Sequence, residues 1–415
     1  MKVGIIGLGF VGLPLLLEMN KKFSVFGFEK EISKIKMLKN NISYISDISN
    51  INLKKSKLKN LFEMNKINKI IKCDYIIFCV PTPLKNKSPD MSYIKNSFST
   101  IFPFLRKNQT IILESSVYPG ATQDIFLKKL SSKFTVGKDF FLCYSPERID
   151  PGKSSKEKKI EYKKITKLVS GYSKKCTDKI KYLYSKIFKN IYVCQSIRVA
   201  ETAKIYENIF RAVNIGLANE MKILCDKINI NVHQVIEAAG TKPFGFKKFS
   251  PGPGVGGHCI PIDPLFMKWI AKKKGHEAKF IDLGIKTNKN VTNWIINRIK
   301  KIFKKNVKYK VLILGIAYKQ NLNDLRESPA LEILKRLKKI KNLSVEYEHP
   351  YIDNFKIGNL NFYSNNTQKY KNYDFTILCT DHVNFNYKKI LKYSKKIIDT
   401  RGIYKFSDSP KILHL

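Results

Sequence analysis

Residues 2–12 read Lys2-Val3-Gly4-Ile5-Ile6-Gly7-Leu8-Gly9-Phe10-Val11-Gly12, an apolar run that breaks into a G-x-G-x-x-G turn before an apolar helical pattern from Leu13. Strand, tight turn and helix in that order put backbone amides at a helix N-terminus, where a pyrophosphate binds, and the glycines let it approach closely. A second apolar strand, Ser24-Val25-Phe26-Gly27-Phe28, ends at Glu29, 22 residues after Gly7. A carboxylate at that place accepts from both ribose hydroxyls and repels a 2′-phosphate, so NAD is favoured over NADP. The glycine motif by itself is weak. The strand before it, the helix after it and the acid at the next strand's end make it specific.

Further short apolar strands follow at 74–80, 110–114, 140–144, 167–170 and 191–193, separated by helical or loop segments. That rhythm predicts a doubly wound parallel sheet with crossovers, whose strand carboxyl ends face a ligand crevice. Three exits are rich in proline or hydroxyls: Val80-Pro81-Thr82-Pro83, Glu114-Ser115-Ser116-Val117-Tyr118-Pro119-Gly120 and Tyr144-Ser145-Pro146-Glu147-Arg148-Ile149-Asp150-Pro151-Gly152. Proline and serine often merely punctuate strand ends. Three such exits on one edge point to ligand contacts. Residues 153–164 read as a charged loop or helix.

A long helical pattern runs from Arg198 to about Asn229 and puts Lys204, Asn208 and Arg211 at i, i+4 and i+7, on one face. A solvated stripe would be richer in Lys and Glu, so this face reads as functional, and the helix's two-sided apolar character suits one joining lobes or subunits. Residues 250–266 then crowd four prolines around Cys259: Ser250-Pro251-Gly252-Pro253-Gly254-Val255-Gly256-Gly257-His258-Cys259-Ile260-Pro261-Ile262-Asp263-Pro264-Leu265-Phe266. Glycine admits close backbone approach while proline stiffens the loop, and a thiol so placed near a carboxylate reads as a positioned nucleophile. Residues 267–305 read as helix with a loop near 287–290. A second strand-turn-helix follows, with strand 309–314 and with Ser328 and Pro329 as N-cap and first residue of a helix. Strands at 344–347, 374–378 and 396–399 complete a smaller α/β repeat.

The hydrophobic fraction is 43%, ordinary for a globular chain, and no apolar run nears the ~18 residues of a membrane span. The eight cysteines show no C-x-x-C pair, which argues against zinc or a disulfide framework and favours a reducing cytoplasm. The formal charge of +44 comes from 77 basic and 33 acidic residues, yet only 8 of the basic ones are Arg. Lysine spread over every segment reads as compositional bias. A nucleic-acid binder would concentrate it on one face, and such a function rests on the charge alone.

A dinucleotide fold with one poised cysteine suits oxidation through a sulfur adduct: alcohol to aldehyde, thiohemiacetal, thioester and then carboxylate. Lys204 and Asn208 could meet the developing oxyanion, and Asp263 and Glu147 could move protons and water. His258, adjacent to the cysteine, reads as structural, since neighbouring side chains rarely face one another.

The wordings GTKPFGFKKFSPGPGVGGHCIPIDP, SPERIDPGK and GIAYKQNLNDLRESPA resemble the nucleotide-sugar 6-dehydrogenases, the UDP-glucose and GDP-mannose dehydrogenase family, nearly end to end. Among these, the chain looks most like the bacterial UDP-N-acetylglucosamine 6-dehydrogenases of surface-polysaccharide pathways. The resemblance implies a four-electron oxidation of a sugar C6 alcohol with two NAD. It implies Cys259 as nucleophile, Lys204 and Asn208 as the oxyanion and water pair, Asp263 as partner of that water, Glu147 on a loop closing over substrate, and Ser116 where Thr is usual. For NAD it implies Gly7, Leu8, Gly9, Phe10, Val11, Gly12, Glu29 (one methylene longer than the commoner Asp), Lys34, Pro81, Thr82, Ser115, Ser116 and Arg326. For the nucleotide sugar it implies Glu147, Arg148, Lys204, Asn208, Arg211, Phe249, Ser250, Gly254, Gly256, Lys319 and Arg401, and no metal. The implied architecture is two Rossmann-like domains, 1–197 for NAD and 301–415 for the nucleotide sugar, joined by a central helical dimerisation domain at 198–300. A homodimer without nucleic-acid binding or membrane insertion is expected. UDP-N-acetylgalactosamine, UDP-N-acetylmannosamine and UDP-glucose stay open as substrates, as does a relative that binds without turnover.

Overall fold

The computed structural model describes residues 1–148, 164–358, 360–366 and 368–415. The chain groups into two compact units. Of the described residues, the first holds 1–148, 164–207 and Leu265–Glu277, and the second Asn208–Pro264 and 278–415.

In the first unit, eight strands among the described residues form one sheet. They are β1 (Lys2–Ile6), β2 (Ser24–Glu29), β3 (Leu61–Glu63), β4 (Tyr75–Phe78), β5 (Thr110–Leu113), β6 (Phe141–Tyr144), β7 (Lys167–Gly171) and β8 (Ile191–Val193), in spatial order 8-7-6-5-4-1-2-3. The strand residues of β4 and β5 are all buried, as expected for strands covered on both faces. All neighbours are parallel except β6 and β7, where Cys143 opposes Gly171 and Tyr144 opposes Ser170. The sheet is therefore not wholly parallel: β7 runs antiparallel to β6, a pairing that does not require a crossover helix. The turn after β1 leads into helix α1 (Gly12–Asn20). The segment 153–164 lies outside the described residues except for Lys164.

Helix α2 (Lys174–Ser185) packs on β7. The 31-residue helix α3 spans Ile197–Lys227, within two residues of the bounds read from the sequence. Its Glu201, fully buried, accepts hydrogen bonds from the Gly120 amide (2.5 Å), the Thr122 amide (2.9 Å) and the Thr122 hydroxyl (2.7 Å). Those amides open the helical segment after Pro119, where no carbonyl of the same helix can serve them.

In the second unit, helix α4 (Cys259–Lys273) belongs to this unit as far as Pro264, and helix α5 covers Lys279–Ile302 without a break. The expected loop at 287–290 is absent because Asn288 points inward. Its amide nitrogen donates to the carbonyls of Ala212 (2.7 Å) and Gly284 (3.0 Å), and its oxygen accepts from Asn219 (3.0 Å). The chain turns instead near Gly275, whose φ is +75°. A five-stranded parallel sheet follows, in spatial order β10-β9-β13-β14-β15. Its strands are β9 (Tyr309–Leu314), β10 (Leu343–Glu348), β13 (Phe375–Leu378), β14 (Ile397–Asp399) and β15 (Ile412–His414), with the hairpin β11 (Asn354–Ile357) and β12 (Leu360–Tyr363) beside it. The hairpin and β15 were not read from the sequence. Helix α6 (Pro329–Lys338) starts as expected, the Ser328 hydroxyl accepting the Leu331 amide.

The two sheets repeat one another in register. The Gly7 amide donates to Phe28 O at 2.9 Å, and the Gly315 amide to Glu348 O at 2.9 Å; Cys79 N to Ile6 O matches Cys379 N to Leu314 O. Glu29, one residue past Phe28, thus corresponds to His349, one past Glu348.

Replacing Glu201 with Ala leaves three buried donors unserved, at about 1–3 kcal/mol each less relaxation, so denaturant unfolding should show a loss of roughly 3 kcal/mol.

Candidate active site

The glycine turn of the first unit is built for close approach. Gly7 has φ +89°, and a Cβ on it would stand 2.8 Å from the Cys79 carbonyl oxygen; one on Gly12 would stand 1.8 Å from that of Gly7. A Cβ on Gly9, between them, would meet nothing within 4 Å. The first and third glycines are thus closed against protein, and the second faces open space beside the uncapped start of α1. Leu8 is buried, and Phe10 and Val11 are half-buried against the core beneath. Glu29 ends β2, and its carboxylate accepts the Leu8 amide at 2.9 Å and those of Lys30 (2.8 Å) and Glu31 (3.2 Å). Lys34 pairs with Glu31 at 2.7 Å and lies over the Tyr44 ring, whose hydroxyl donates to Leu8 O. Burial pushes the Tyr44 phenol up, with Glu29 and Glu31 adding to it. This set fits an anionic dinucleotide: amides and bare glycine for the pyrophosphate, and a fixed carboxylate for the ribose.

The three strand exits do share one edge, at the carboxyl ends of β4, β5 and β6. Pro81 is exposed and Thr82 buried, the Ser115 hydroxyl donates to Val80 O at 2.7 Å, and Ser116 is half-buried. Glu147 and Arg148 are half-buried; the Arg148 guanidinium pairs with Glu207 at 2.6 Å and donates to Thr166 O at 2.9 Å. Lys204, of the same unit, is buried on α3 one turn before Asn208.

In the second unit Cys259 is the first residue of α4, and it is exposed whereas the other seven cysteines are buried. A helix N-terminus favours negative charge, so the sulfur stands where a thiolate is stabilised. Asp263 lies one turn further on, fully buried, and its Oδ2 accepts from the Asn208 amide at 2.6 Å. Burial works against the charge of Arg326, but its hydrogen bonds to Asp324 and that carboxylate's charge raise its pKa. Its guanidinium is bidentate on Asp324, Nε donating to Oδ1 at 3.0 Å and Nη2 to Oδ2 at 2.6 Å, and its carbonyl accepts the Gly257 amide at 2.9 Å. His258 is neutral near pH 7: burial brings its pKa down to about 4, with Arg326 assisting. It therefore cannot serve as an imidazolium beside the cysteine.

The loop before Cys259 is held by contacts that only glycine allows. A Cβ on Gly256 would be 2.5 Å from Tyr318 Cβ and 2.6 Å from Glu327 O, and one on Gly254, at φ +135°, 2.6 Å from Thr292 Oγ1. A Cβ on Gly252 would meet the Arg401 guanidinium at 2.7 Å. Arg401 is anchored by Asp381 at 3.0 Å, Ser250 is exposed, and Phe249 packs edge-on against Phe210 at 5.8 Å. Lys319 and Arg211 are half-buried. Asn219, Asn288 and Thr292, which hold this loop and its neighbours, were not singled out from the sequence. Asn219 accepts the Gly252 amide at 3.0 Å, and the Thr292 hydroxyl donates to Pro253 O at 2.6 Å. Polar residues at core-facing helical spacing were the available signal.

Residues 1–188 match the NAD binding domain of the UDP-glucose/GDP-mannose dehydrogenase family, 198–290 its central domain and 312–406 its UDP binding domain. The chain belongs to this family. Its members are NAD-dependent oxidoreductases, and the recognition, fold and cofactor read from the sequence agree with that membership. Similar curated proteins include the UDP-N-acetyl-D-glucosamine 6-dehydrogenase of Salmonella typhi, 35% identical over 85% of this chain and 83% of that one. Another is the UDP-N-acetyl-D-mannosamine dehydrogenase of Methanococcus vannielii, 34% identical over 97% and 93%. Among solved structures, a UDP-N-acetyl-mannosamine dehydrogenase of Staphylococcus aureus superposes with TM-score 0.82 at 29% identity, covering 100% of this chain and 97% of that one. No helix among the described residues is long and apolar enough to cross a membrane.

Substituting Gly7 with Val forces a β-branched residue to φ +89° and against Cys79, so NAD affinity by titration calorimetry should fall at least about tenfold. Because His258 is already neutral, H258N should leave the pH–rate profile between about pH 6 and 8 unmoved, as stopped-assay rates would show.

Proposed function

We propose that this enzyme oxidises the C6 alcohol of a UDP-sugar, with UDP-N-acetylglucosamine the leading substrate, to the uronic acid through two successive adducts on Cys259. The observation that carries the reading is the exposed sulfur at the start of α4, one helical turn from the buried Asp263–Asn208 pair. NAD, held by the Gly7–Gly12 turn and Glu29, supplies the hydride acceptor, two molecules per sugar. Arg326 is the further residue proposed for the cofactor.

The Cys259 thiolate attacks the C6 aldehyde carbon and forms a thiohemiacetal, whose oxyanion Lys204 and Asn208 stabilise. One such donor contributes roughly 3–4 kcal/mol. Loss of a second hydride leaves a thioester. Asp263, its Oδ2 held by the Asn208 amide, orients the water that attacks the acyl carbon, and Glu147 and Ser116 assist, releasing the acid and the thiol. Arg148, Arg211, Phe249, the 250–257 loop, Lys319 and Arg401 bind the nucleotide sugar. The domain limits proposed are 1–197, 198–300 and 301–415.

Relatives named for UDP-N-acetylglucosamine and for UDP-N-acetylmannosamine lie at 35% and 34% identity, so the mannosamine epimer is the second reading. A homodimer is proposed through α3. Tyr206, Phe210, Leu217, Met221 and Leu224 are exposed at helical spacing along it, an apolar stripe that a second copy would cover. A reducing cytoplasm and a place in surface-polysaccharide synthesis complete the reading. Protein CapL of Staphylococcus aureus is 36% identical over 81% of the chain and 79% of its own length.

The test is an NADH assay over the four UDP-sugars with products identified by mass. Two NADH per sugar and no free aldehyde are expected, and a stoichiometry of one refutes the scheme. C259S should bind NAD as before and form no acid; full turnover by that variant would remove the covalent route.

A further inference from the structure

Lys167, the first residue of β7, is a lysine where the sequence shows only the start of an apolar strand, and its side chain is 2% exposed. Its ammonium lies 3.0 Å from Glu114 Oε2, 3.3 Å from the Pro146 carbonyl oxygen and 3.4 Å from Glu147 Oε2. Two aromatic faces, of Tyr184 at 5.1 Å and Phe188 at 5.4 Å, complete its surroundings. Glu114 is fully buried at the exit of β5, and its second oxygen accepts the Tyr184 hydroxyl from α2. Glu147 is the partner nearer to solvent, 12% exposed, and its other oxygen accepts the Arg148 amide at 2.7 Å.

One cation thus sits between two carboxylates that differ in burial. Burial alone would discharge Lys167, but Glu114 and Glu147 hold it protonated. Burial pushes the Glu114 carboxyl up, and it pushes up the Cys79 thiol facing the same cluster from the end of β4. A buried ion pair is a weak source of stability, because desolvation offsets the attraction. Here the lysine also grips the neighbouring Pro146 carbonyl, so both the backbone and the side chain of the 146–147 step are fixed by one ammonium.

We propose that Lys167, itself fixed by Glu114 and Tyr184, is the positioning residue of Glu147, holding that carboxylate in place while the sugar thioester on Cys259 is hydrolysed. The proposal rests on the reading that Glu147 assists hydrolysis. Lys167 touches no reacting atom. It acts by restricting Glu147 to one rotamer, so its loss should slow hydrolysis and leave the earlier oxidations intact.

The experiment pairs E147Q with the charge-neutral double variant Glu114→Gln/Lys167→Met, in the full-length enzyme with UDP-N-acetylglucosamine and NAD. Both should release two NADH per Cys259 in the first turnover and then stall, with the acyl adduct visible by intact-protein mass spectrometry. Steady-state kcat should fall on the order of 100-fold, the low end of general acid–base effects, while KM and NAD affinity change less than about threefold. If E147Q stalls and the double variant turns over like the parent, the positioning role is wrong and the reading of Glu147 stands. If E147Q itself turns over normally, both fall. Should the double variant not fold, Y184F removes only the hydroxyl on Glu114: slowed adduct hydrolysis supports the proposal, and an unchanged rate overturns it.

Discussion

A methyl group on Gly12 would stand 1.8 Å from the Gly7 carbonyl oxygen, and one on Gly256 would stand 2.5 Å from Tyr318. Each site is shaped by backbone that comes closer than any side chain permits. In the first unit this closeness leaves open space over Gly9, where an anion can approach the backbone. In the second it threads residues 252–257 between Thr292, Tyr318 and Arg401, so that Cys259 emerges at a fixed place at the head of its helix. Proline on either side then limits what the glycines would otherwise allow.

Those glycines are also why so much was legible. G-x-G-x-x-G, the acid 22 residues on, the crowded loop around Cys259 and the Ser328-Pro329 start of a helix are local signals, complete within a few residues or one strand-helix step. What escaped was non-local. Lys167 opens an apolar strand, and nothing within several residues shows that its partner is Glu114, 53 positions earlier. Asn288 lies in a polar stretch that mimics a loop, and its bonds go to α3, far back in the chain. The antiparallel pairing of β7 with β6 is likewise a non-local feature, which no periodicity reports. The pairing of Asp263 with Asn208 lies between the two kinds: each residue was singled out, but not their contact.

The same distinction gives meaning to the charge. Most lysines lie on the surface, each adding little beyond solubility. Among the described residues, Lys167, Lys204 and Lys222 are buried. Lys222 donates to Thr400 O at 3.1 Å, beside Arg401, and burial brings its pKa down to about 7, with Asp399 opposing and Arg401 adding to the fall. The count of +44 describes composition. The few lysines taken out of water describe the chemistry.

The register between the two sheets has a further meaning. Where the first crevice ends in Glu29, the second ends in His349, fully buried, in ring contact with His382 at 4.4 Å and kept neutral by burial. Two imidazoles fill the place at which the first sheet presents a carboxylate. The duplicated framework therefore ends in a carboxylate at this register position in one sheet and in a buried imidazole pair in the other. An acid grafted at position 349 would lie against the buried His382 ring, where Glu29 instead meets the amides of Leu8, Lys30 and Glu31, so it would not by itself create a second dinucleotide receptor.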